Sequence, residues 1–377
     1  MRDPQAQLDE LREQGLLRQL RPLDSGSGAQ VIRKGRTLWN FASNDYLGLA
    51  RHPRIEAALI EGVQRYGAGS AAARLVCGTL PPHVQLEERI AETKQSEAAL
   101  TFSSGFATAL GVIPAVVGKH DHVILDKLCH ASLVDGARLS GATLRVFPHN
   151  DVAKLDRLLQ GIRAKHADSR ILVLTESVFS MDGDLCPLRE LVEITERHDA
   201  LLLLDEAHGF GVLGDQGMGL AEREGLQQRI TFQMGTLSKA AGLSGGYLAA
   251  SRVWIDLLLN RSRSFIYSTA PPPAIAHAAL SALDLIRGQE GRQRRETLAR
   301  HIAIFGQSPT AIQPLILGSN QAALDAAASF EDAGFLVPAI RYPTVPRNTA
   351  RLRFSLSAAH DRDTIEQAAE KMKSVLR

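Results

Sequence analysis

The chain has 377 residues, of which 45% are hydrophobic, so it can bury a sizeable core and a disordered chain is excluded. Its 43 basic and 41 acidic residues leave a formal charge of +2, without the basic excess of a dedicated nucleic-acid binder. With no apolar run long enough for a bilayer and three widely spaced cysteines in no metal-binding pattern, we expect a cytoplasmic protein that acts on small molecules and binds no metal.

The first predicted element is an amphipathic helix over residues 5–20 that packs on the body of the protein. Five leucines from Leu8 to Leu20 recur at roughly helical spacing. Charged residues separate these leucines, so the N-terminus lacks the continuous apolar core of a signal peptide. We therefore expect a structural helix here.

Short apolar runs alternate with helical stretches between about residues 98 and 250, which is typical of βαβ units. The runs over residues 171–175 and 201–205 do not alternate, as expected for parallel strands that are covered by helices on both faces. The predicted fold class is therefore α/β, with one large, mainly parallel sheet of seven strands. The predicted strands cover residues 98–102, 122–125, 143–147, 171–175, 201–205, 230–235 and 246–250.

Three consecutive prolines at residues 271–273 interrupt this pattern. A long helix is predicted after them over residues 274–303, and a smaller α+β unit follows. Its predicted strands cover residues 311–317, 335–340 and 351–357, and its helices cover residues 320–333 and 361–376. We thus predict an N-terminal helical segment (1–45), a large α/β domain that binds the cofactor considered below (46–273) and a C-terminal α+β domain (274–377).

A carboxylate and a lysine follow neighbouring strands of the predicted sheet. Asp205 ends a run of four leucines, which places its carboxylate at the edge where α/β proteins bind ligands. Lys239 follows the next strand among small residues that leave room for a ring. Pyridoxal phosphate enzymes combine an imine-forming lysine with a carboxylate that pairs with the pyridine nitrogen. Taken alone, Asp205 is equally well explained as the cap of a turn. For Lys239, a solvated surface residue would be the strongly favoured explanation without its neighbours.

Several polar residues near these two could complete a cofactor site. Gly105 and Phe106 lie where a strand gives way to a helix, so free N–H groups there could bind a phosphate, and Thr236 adds a hydroxyl. His208 could contact the ligand of Asp205, and His130 could stack on a flat ring. Each feature also has a structural explanation, because glycine commonly caps such turns and a single histidine commonly satisfies a local hydrogen bond.

Six ordered motifs resemble those of the α-oxoamine synthases, which are fold type I pyridoxal phosphate enzymes. The resemblance extends in the same order from about residue 38 to residue 360. It implies a fold type I transferase with a large sheet domain and pyridoxal 5'-phosphate as the cofactor. The motifs are Asn-Asp-Tyr-Leu-Gly (44–48), Ser-Gly-Phe (104–106), residues 126–132, Ser-Met-Asp-Gly-Asp (180–184), Asp-Glu-Ala-His-Gly (205–209) and residues 236–246.

The resemblance also implies roles for individual residues. Lys239 is expected to hold the cofactor and to take the substrate Cα proton, Asp205 to pair with the pyridine nitrogen and His130 to stack on the ring. The residues expected to bind the cofactor are Gly105, Phe106, His130, Ser180, Asp205, His208, Thr236, Lys239 and Thr269. Thr269 would extend to the cofactor of a second subunit, so the resemblance implies a homodimer with shared active sites.

The substrate-binding residues implied by the resemblance are Arg18, Asn44, His130, Thr344 and Arg353. Asn44 and Arg353 match positions that face the amino-acid carboxylate, and a planar guanidinium suits bidentate carboxylate binding. Arg18 and Thr344 match positions near the acyl substrate. For Arg18, a solvated helix face is the simpler alternative.

Three segments, over residues 266–272, 311–315 and 340–346, with residues 351–353 beyond the third, distinguish between members of this family. They favour a member that joins L-alanine to a pimeloyl thioester, carried by coenzyme A or acyl carrier protein, in biotin biosynthesis. A relative that joins glycine or serine to another acyl-CoA would use the same catalytic residues and stays an alternative. A non-catalytic scaffold subunit is the other alternative, and it would be expected to lack Lys239 or Asp205. Neither nucleic acid nor a membrane is an expected partner.

Overall fold

A computed structural model describes residues 3–375. Met1 and Arg2, at the start of the predicted N-terminal segment, and residues 376–377, at the end of the predicted last helix and domain, lie outside the described residues. The chain forms two compact units. The first comprises the segment up to Gly48, Ser180–Asp184 and the segment from Glu296 onward, and the second comprises Leu49–Phe179 and Leu185–Arg295. In residues 3–375, every helix is too short or too polar to cross a bilayer.

Helices and strands are numbered here in chain order. The helices are α1 (Pro4–Glu13), α2 (Pro53–Tyr66), α3 (Pro81–Thr93), α4 (Gly105–Val116), α5 (Ala131–Ser140), α6 (Val152–Arg163), α7 (Leu188–Arg197), α8 (Leu220–Glu224), α9 (Arg252–Arg261), α10 (Arg263–Ile266), α11 (Pro273–Arg287), α12 (Gln289–Phe305), α13 (Asn320–Asp332) and α14 (Arg362–Val375). The strands are β1 (Gln30–Arg33), β2 (Arg36–Asn40), β3 (Ala98–Phe102), β4 (His122–Asp126), β5 (Thr143–Phe147), β6 (Ile171–Glu176), β7 (Leu201–Asp205), β8 (Phe232–Thr236), β9 (Gly246–Ala250), β10 (Ile312–Gly318), β11 (Phe335–Leu336), β12 (Ala339–Ile340) and β13 (Ala350–Ser355).

A seven-stranded sheet forms the centre of the second unit and confirms the predicted α/β fold class. The strand order is β3-β9-β8-β7-β6-β4-β5, and β9 is antiparallel to both of its neighbours whereas the other pairs are parallel. Each predicted strand of this sheet is present, and its ends differ from the prediction by at most two residues. The carboxyl ends of β4, β6, β7 and β8 therefore meet at one edge, where α/β proteins bind ligands.

The central strands separate two hydrophobic cores. Leu172 and Leu174 of β6 belong to the core that contains residues of α4 and α5. Ile171 and Val173, which alternate with these leucines along β6, belong to the core that contains residues of α6 and α7. Since successive strand residues point to opposite faces, burial on both faces explains why this apolar run does not alternate.

The first unit contains two three-stranded sheets. In one, β13 lies between β10 and β12, and both pairs are antiparallel. In the other, β2 pairs with β1 in antiparallel and with β11 in parallel orientation. The single strand predicted over residues 335–340 is therefore wrong. Pro338 separates β11 from β12, because proline lacks the N–H that a strand ladder requires.

Two predicted helices are shorter in the structure. The first ends at Glu13 instead of near residue 20, and Gly15 then turns the chain with a φ of +64°. None of the residues of α1 is buried, so the expected packing of this helix on the body is wrong. The helix predicted over residues 274–303 is divided into α11 and α12 at Gly288, because glycine is a poor helix former.

The compact units end at Gly48 and Arg295, whereas the sequence suggested divisions after residues 45 and 273. The second difference arises because α11 packs closely on α2 and α3 of the second unit. A Cβ on Gly62 of α2 would lie 2.8 Å from the Cα of Ala274, so the glycine permits this approach. α11 therefore belongs to the same compact unit as the large sheet.

His360 is a buried histidine of the first unit whose two ring nitrogens are both hydrogen-bonded. Its Nδ1 accepts from the Ser357 N–H at 3.2 Å, and its Nε2 donates to the Asn40 carbonyl at 3.1 Å. The ring also stacks on Phe41, with the centroids 4.4 Å apart. Burial lowers the pKa of His360 to about 4, so the folded protein holds this ring neutral at neutral pH.

We expect acid to destabilise the fold through His360. The pKa of the residue is about 4 in the folded protein and about 6.5 in an unfolded chain, so between these values only the unfolded chain binds the proton. The unfolding free energy should therefore fall as the pH falls from about 6.5 to about 4, by about 3 kcal/mol in total from this residue.

His360→Gln should be less stable than the wild type near neutral pH, but it should lose less stability on acidification. The exposed residue His120 provides a matched control, because His120→Gln should behave as the wild type. Urea unfolding midpoints at about pH 7 and about pH 4.5 measure both effects. The same pH dependence in all of these proteins would contradict the role of His360.

Candidate active site

Loops that follow strands of the large sheet carry most of the predicted cofactor-binding residues. Asp205 is the last residue of β7, and Lys239 lies in the connection between β8 and β9. His130 lies between β4 and α5, and Gly105 begins α4 shortly after β3. Because these strands end at the same edge of the sheet, residues that are distant in the sequence are brought to one place.

Asp205 is a buried carboxylate, with 5% of the residue exposed. Its Oδ1 accepts from the Ala207 N–H at 2.9 Å. Burial raises the pKa of Asp205, while the charge of Lys239, the Ala207 hydrogen bond and the charge of His130 lower it. The neighbouring Glu206 carboxylate raises the pKa further. A cation bound next to Asp205 would therefore be stabilised by a charge that the protein already holds in place.

Lys239 is half-buried, and its Nζ lies 3.1 Å from Nε2 of His208. A hydrogen bond between these nitrogens requires one of them to accept, so the contact disfavours the state in which both are protonated. His208 is itself buried, with 6% exposed, which holds its ring in position. The structure thus brings the predicted His208 to the amine of Lys239, where it can assist loss of a proton from that amine.

His130 is held by its backbone and by its ring. Its N–H donates to Oε1 of Glu176 at 2.5 Å. Its Nδ1 accepts from the Ser132 N–H at 3.2 Å and lies 2.8 Å from the Ser132 hydroxyl, so the neutral ring carries its proton on Nε2. Although the residue is exposed, desolvation of the ring lowers the pKa of His130; Asp205 opposes this shift and Lys239 adds to it. A neutral ring of fixed orientation suits stacking on a flat ligand.

Glu176 is a residue that the sequence analysis missed. It ends β6, is 2% exposed and pairs in register with Asp205 on β7. Its carboxylate fixes the backbone of His130. The signal that identified Asp205, an acidic residue at the end of an apolar strand, was present for Glu176 as well. We therefore include Glu176 among the residues that shape the site.

The start of α4 offers backbone donors for an anion. The Ser104 hydroxyl accepts from the Ala107 N–H at 3.0 Å and caps this 12-residue helix. The first N–H groups of a helix have no intrahelical acceptor, so those of Gly105 and Phe106 are suited to a phosphate. A Cβ on Gly246 would lie 2.6 Å from the Gly105 nitrogen, so glycine at this position of β9 allows the close approach.

Hydroxyl groups at the end of β8 lie next to the start of α4. The Thr236 hydroxyl donates to the Gly245 carbonyl at 2.7 Å and lies 2.8 Å from the Ser238 hydroxyl. A Cβ on Gly105 would be 3.6 Å from the Cβ of Thr236, which is ordinary van der Waals contact. The predicted residues Gly105 and Thr236 are therefore neighbours.

This set of groups fits pyridoxal phosphate. Lys239 supplies an amine for the aldehyde, and the buried Asp205 supplies a carboxylate for a protonated pyridine nitrogen. The helix start and the adjacent hydroxyl of Thr236 supply N–H and O–H donors for the phosphate. The second unit thus offers a matching group for the aldehyde, the pyridine nitrogen and the phosphate of the cofactor.

The first unit brings together three other predicted residues, Asn44, Ser180 and Arg353. Arg353 is 5% exposed; its Nε donates to the Ser180 carbonyl at 2.6 Å and its Nη1 to Asn44 Oδ1 at 3.0 Å. Nη1 also donates to the Ser355 hydroxyl at 2.6 Å. The guanidinium is therefore fixed in orientation before any ligand binds.

Arg18 and Thr344 also lie next to each other in the first unit. Nη2 of Arg18 is 3.2 Å from the Thr344 hydroxyl, and both residues are exposed. They line a groove of about 790 Å³ together with Arg21 and Arg341. Burial lowers the pKa of Arg341, and the charges of Arg18 and Arg21 lower it further, which indicates a concentration of positive charge.

Thr269 is exposed in the second unit, and its backbone forms an isolated bridge with Ala73. Three large apolar residues near these positions in the sequence are also exposed: Leu75 by 51%, Val76 by 79% and Tyr267 by 72%. The Ala73–Thr269 bridge brings together the two segments that carry these exposed residues.

Residues 36–372 match the family model described as aminotransferase class I and II. An 8-amino-7-oxononanoate synthase of Geobacter sulfurreducens is 47% identical over 378 residues, which cover 97% of this chain and 96% of that protein. Another 8-amino-7-oxononanoate synthase, from Bordetella petrii, is 47% identical over 380 residues and covers 97% of this chain and 95% of its own length. The sequence similarity therefore extends over nearly the whole chain.

Solved structures show the same fold. A lysine-to-alanine variant of serine palmitoyltransferase from S. paucimobilis, with a bound pyridoxal phosphate–myriocin aldimine, has a TM-score of 0.90 at 27% identity, and the match covers 98% of this chain and 96% of that one. The crystal structure of 8-amino-7-oxononanoate synthase from Francisella tularensis has a TM-score of 0.76 at 29% identity and covers 90% of this chain and 98% of its own. These matches confirm the fold type I architecture that the sequence predicted.

We expect Glu176→Ala to disturb the site through His130. The substitution leaves the partly buried N–H of His130 without its charged acceptor, which should lower the unfolding free energy by about 2 kcal/mol. It should also weaken the binding of pyridoxal phosphate, because the His130 ring loses its fixed orientation. Glu176→Gln is the matched control, since its amide oxygen can still accept. Urea unfolding and a fluorescence titration with the cofactor measure the two effects, and identical behaviour of the Ala and Gln variants would contradict this explanation.

Proposed function

The chain belongs to the class I and II aminotransferase family and, within it, to the 8-amino-7-oxononanoate synthases, and we propose that it joins L-alanine to a pimeloyl thioester in biotin biosynthesis. It is a transferase that uses pyridoxal phosphate. The observation that carries the proposal is the identity of about 47% over nearly the full length of curated synthases. Lys239 and Asp205, which a non-catalytic scaffold subunit would be expected to lack, are both present.

In the proposed reaction a bond forms between Cα of alanine and the acyl carbon of the thioester. The carbon–sulfur bond of the thioester breaks and releases the thiol, and the alanine carboxylate leaves as carbon dioxide. The products are then 8-amino-7-oxononanoate, carbon dioxide and the free thiol carrier. Bound pyridoxal phosphate supplies the electron sink that this chemistry requires.

The predicted site residues of the second unit each have a proposed part in this reaction. Lys239 tethers the cofactor and then takes the Cα proton of alanine on its Nζ. His208, 3.1 Å from that Nζ, keeps the amine oriented and contacts the phenolic oxygen of the cofactor, as Ser180 also would. Asp205 keeps the pyridine nitrogen protonated, and the neutral His130 ring covers one face of the cofactor and contacts the substrate.

Arg353 is proposed to bind the carboxylate of the amino acid together with Asn44. Its guanidinium is already fixed by hydrogen bonds within the first unit, so little side-chain entropy would be lost on binding. Arg18 and Thr344 are proposed to contact the acyl substrate, which the basic groove that they line supports. Either coenzyme A or acyl carrier protein could present the acyl group to this basic surface.

The relatives imply an enzyme with an amino acid and an acyl thioester as substrates and with a dimeric architecture. We propose a homodimer in which Thr269 completes the cofactor site of the partner subunit. The exposure of Thr269 and of the large apolar residues Val76 and Tyr267 supports this proposal. The cytoplasm is the proposed location, supported by Cys77 and Cys129, which form no disulfide.

The decisive experiment is turnover of the purified protein with L-alanine and either pimeloyl-CoA or the pimeloyl acyl carrier protein, followed by mass detection of the product. Glycine and serine are tested in parallel with acetyl-, succinyl- and palmitoyl-CoA. A product of the 8-amino-7-oxononanoate mass from alanine supports the proposal. A clear preference for glycine or serine with another acyl-CoA would replace it with the sibling activity.

We expect Asp205→Asn to bind pyridoxal phosphate but to exchange the alanine Cα proton at least about 100-fold more slowly than the wild type. The loss of one member of a buried charge pair costs about 3–5 kcal/mol, which corresponds to a rate change of this size or larger. Proton exchange is followed by NMR in deuterated water, with the exposed Asp168→Asn as the control. An exchange rate of the Asp205 variant equal to that of the control would refute the proposed role.

Lys239→Ala should lose the covalent attachment of the cofactor. After borohydride reduction and denaturation, the wild type should retain the cofactor on Lys239, as shown by peptide mass mapping, because only this amine is proposed to form the imine. Lys127→Ala, at an exposed lysine, is the control and should retain the cofactor on Lys239 as the wild type does. Specific labelling of the Lys239 variant at another single lysine would show that the tether had been assigned to the wrong residue.

A further inference from the structure

Glu206, the residue after Asp205, belongs to a fully buried ion pair with Lys94. Nζ of Lys94 is 2.8 Å from Oε2 of Glu206, and the side chains are 1% and 0% exposed. The same Nζ donates to the Met218 carbonyl at 2.6 Å, and Oε1 of Glu206 accepts from the Ala221 N–H at 3.0 Å. Both charges are therefore compensated by groups of the second unit alone.

The pair is costly to build. Two ionised groups lose their hydration when they are buried, and apolar residues of similar size commonly give equal or greater stability. The chain around the pair is also constrained. A Cβ on Gly219 would lie 1.7 Å from Oε2 of Glu206, so only glycine allows the backbone to pass the carboxylate. Stability alone therefore does not explain why ionised groups occupy these positions.

The location of Glu206 offers another explanation. Its N–H donates to the Met234 carbonyl of β8 at 2.8 Å, so the residue continues the strand pairing that ends at Asp205. A negative charge here acts on Asp205 and raises the pKa of that carboxyl. If the charge of Glu206 were uncompensated, Asp205 would be driven toward its neutral form. A neutral Asp205 could not pair with a protonated pyridine nitrogen.

We infer that Lys94 is a positioning residue for the cofactor site. Lys94 cancels the charge of Glu206 and thereby keeps Asp205 ionised. Lys94 does not need to touch the cofactor for this role, because it acts through Glu206. The inference rests on the proposed pairing of Asp205 with the pyridine nitrogen. It adds a requirement for that pairing that neither the relatives nor the motifs indicate.

Other groups also act on Asp205 and must be held constant in a test. The charged or titratable groups that interact electrostatically with Asp205 are Lys239, His130, Glu206, Cys129 and Tyr247. Glu176 is the strand neighbour that pairs with Asp205 in register. Removal of either member of the Lys94–Glu206 pair leaves this set otherwise unchanged. The two single substitutions leave opposite charges behind, so they should act on Asp205 with opposite signs.

The experiment measures the affinity for pyridoxamine 5'-phosphate as a function of pH by fluorescence titration. This analogue carries the same ring and phosphate but has no aldehyde, so its binding does not depend on imine formation with Lys239. The affinity should decrease as the pH falls through the pKa of Asp205, and the midpoint of that decrease is the readout. The proteins compared are the wild type, Lys94→Met, Glu206→Gln and the double variant.

Lys94→Met leaves Glu206 uncompensated, so the acid midpoint should rise by about one pH unit. Glu206→Gln leaves the Lys94 cation, so the midpoint should fall by a similar amount. The double variant, in which neither charge remains, should have a midpoint close to that of the wild type. Shifts of opposite sign together with recovery in the double variant support the inference, because a packing defect would not change sign.

Midpoints that stay unchanged or move in the same direction in both single variants would overturn the inference. If Lys94→Met does not fold, the downward shift in Glu206→Gln and its reversal in the double variant still decide the question. Arg74→Met is the control, since it breaks another ion pair of the second unit, in which the buried Arg74 lies 2.9 Å from the partly buried Glu87, and it should leave the midpoint unchanged.

The experiment also separates this inference from the proposed function. Asp205→Asn is titrated with the same analogue, and loss of its acid midpoint shows that Asp205 is the titrating group. If that midpoint is lost and the Lys94 and Glu206 variants show no opposite shifts, only the role of Lys94 is wrong. If the midpoint persists in Asp205→Asn, the proposed role of Asp205 itself is wrong.

Discussion

A carboxylate that is buried at the end of a strand is stable only when N–H donors or a cation compensate its charge. Among the buried carboxylates of the second unit, those of Glu176, Asp205 and Glu206 lie at or directly after the ends of β6 and β7, with exposures of 2%, 5% and 0%. Glu176 accepts from the His130 backbone, and Glu206 pairs with Lys94. Asp205 accepts from the Ala207 N–H, and the proposed cofactor would add a cation beside it. The arrangement of the site follows from the way in which each charge is compensated.

The large sheet could be predicted because its signals are local. A strand that is covered on both faces consists of consecutive apolar residues, and the polar residue that follows marks its end, as Asp205 does for β7. Elements outside this sheet were predicted less well, because single residues decide where they end. Gly288 divides one predicted helix, and Pro338 divides one predicted strand. The packing of α11 on α2 depends on contacts between residues that are far apart in the sequence.

The candidate site shows the same division between local and distant signals. Lys239 and Asp205 stand out because each follows a strand and lies next to small or polar residues. Lys94 gives no such signal: a lysine at the C-terminal end of a helix is ordinary, because it interacts favourably with the helix dipole. Its partner Glu206 lies 112 residues away in the chain. The contacts of Arg353 with Asn44 and Ser180 likewise join three distant segments, so their geometry could not be derived from any one of them.

The compensation of charge also links cofactor binding to protonation. Burial raises the pKa of Asp205, whereas a cationic ring nitrogen beside it would lower that pKa. A cationic ring nitrogen beside Asp205 would therefore favour the ionised carboxylate, which burial alone disfavours. The resulting pair of opposite charges is more stable in a buried site than an isolated carboxylate. Since the cofactor binds only the folded state, this pairing also increases the stability of the sheet edge that holds Glu176 and Glu206.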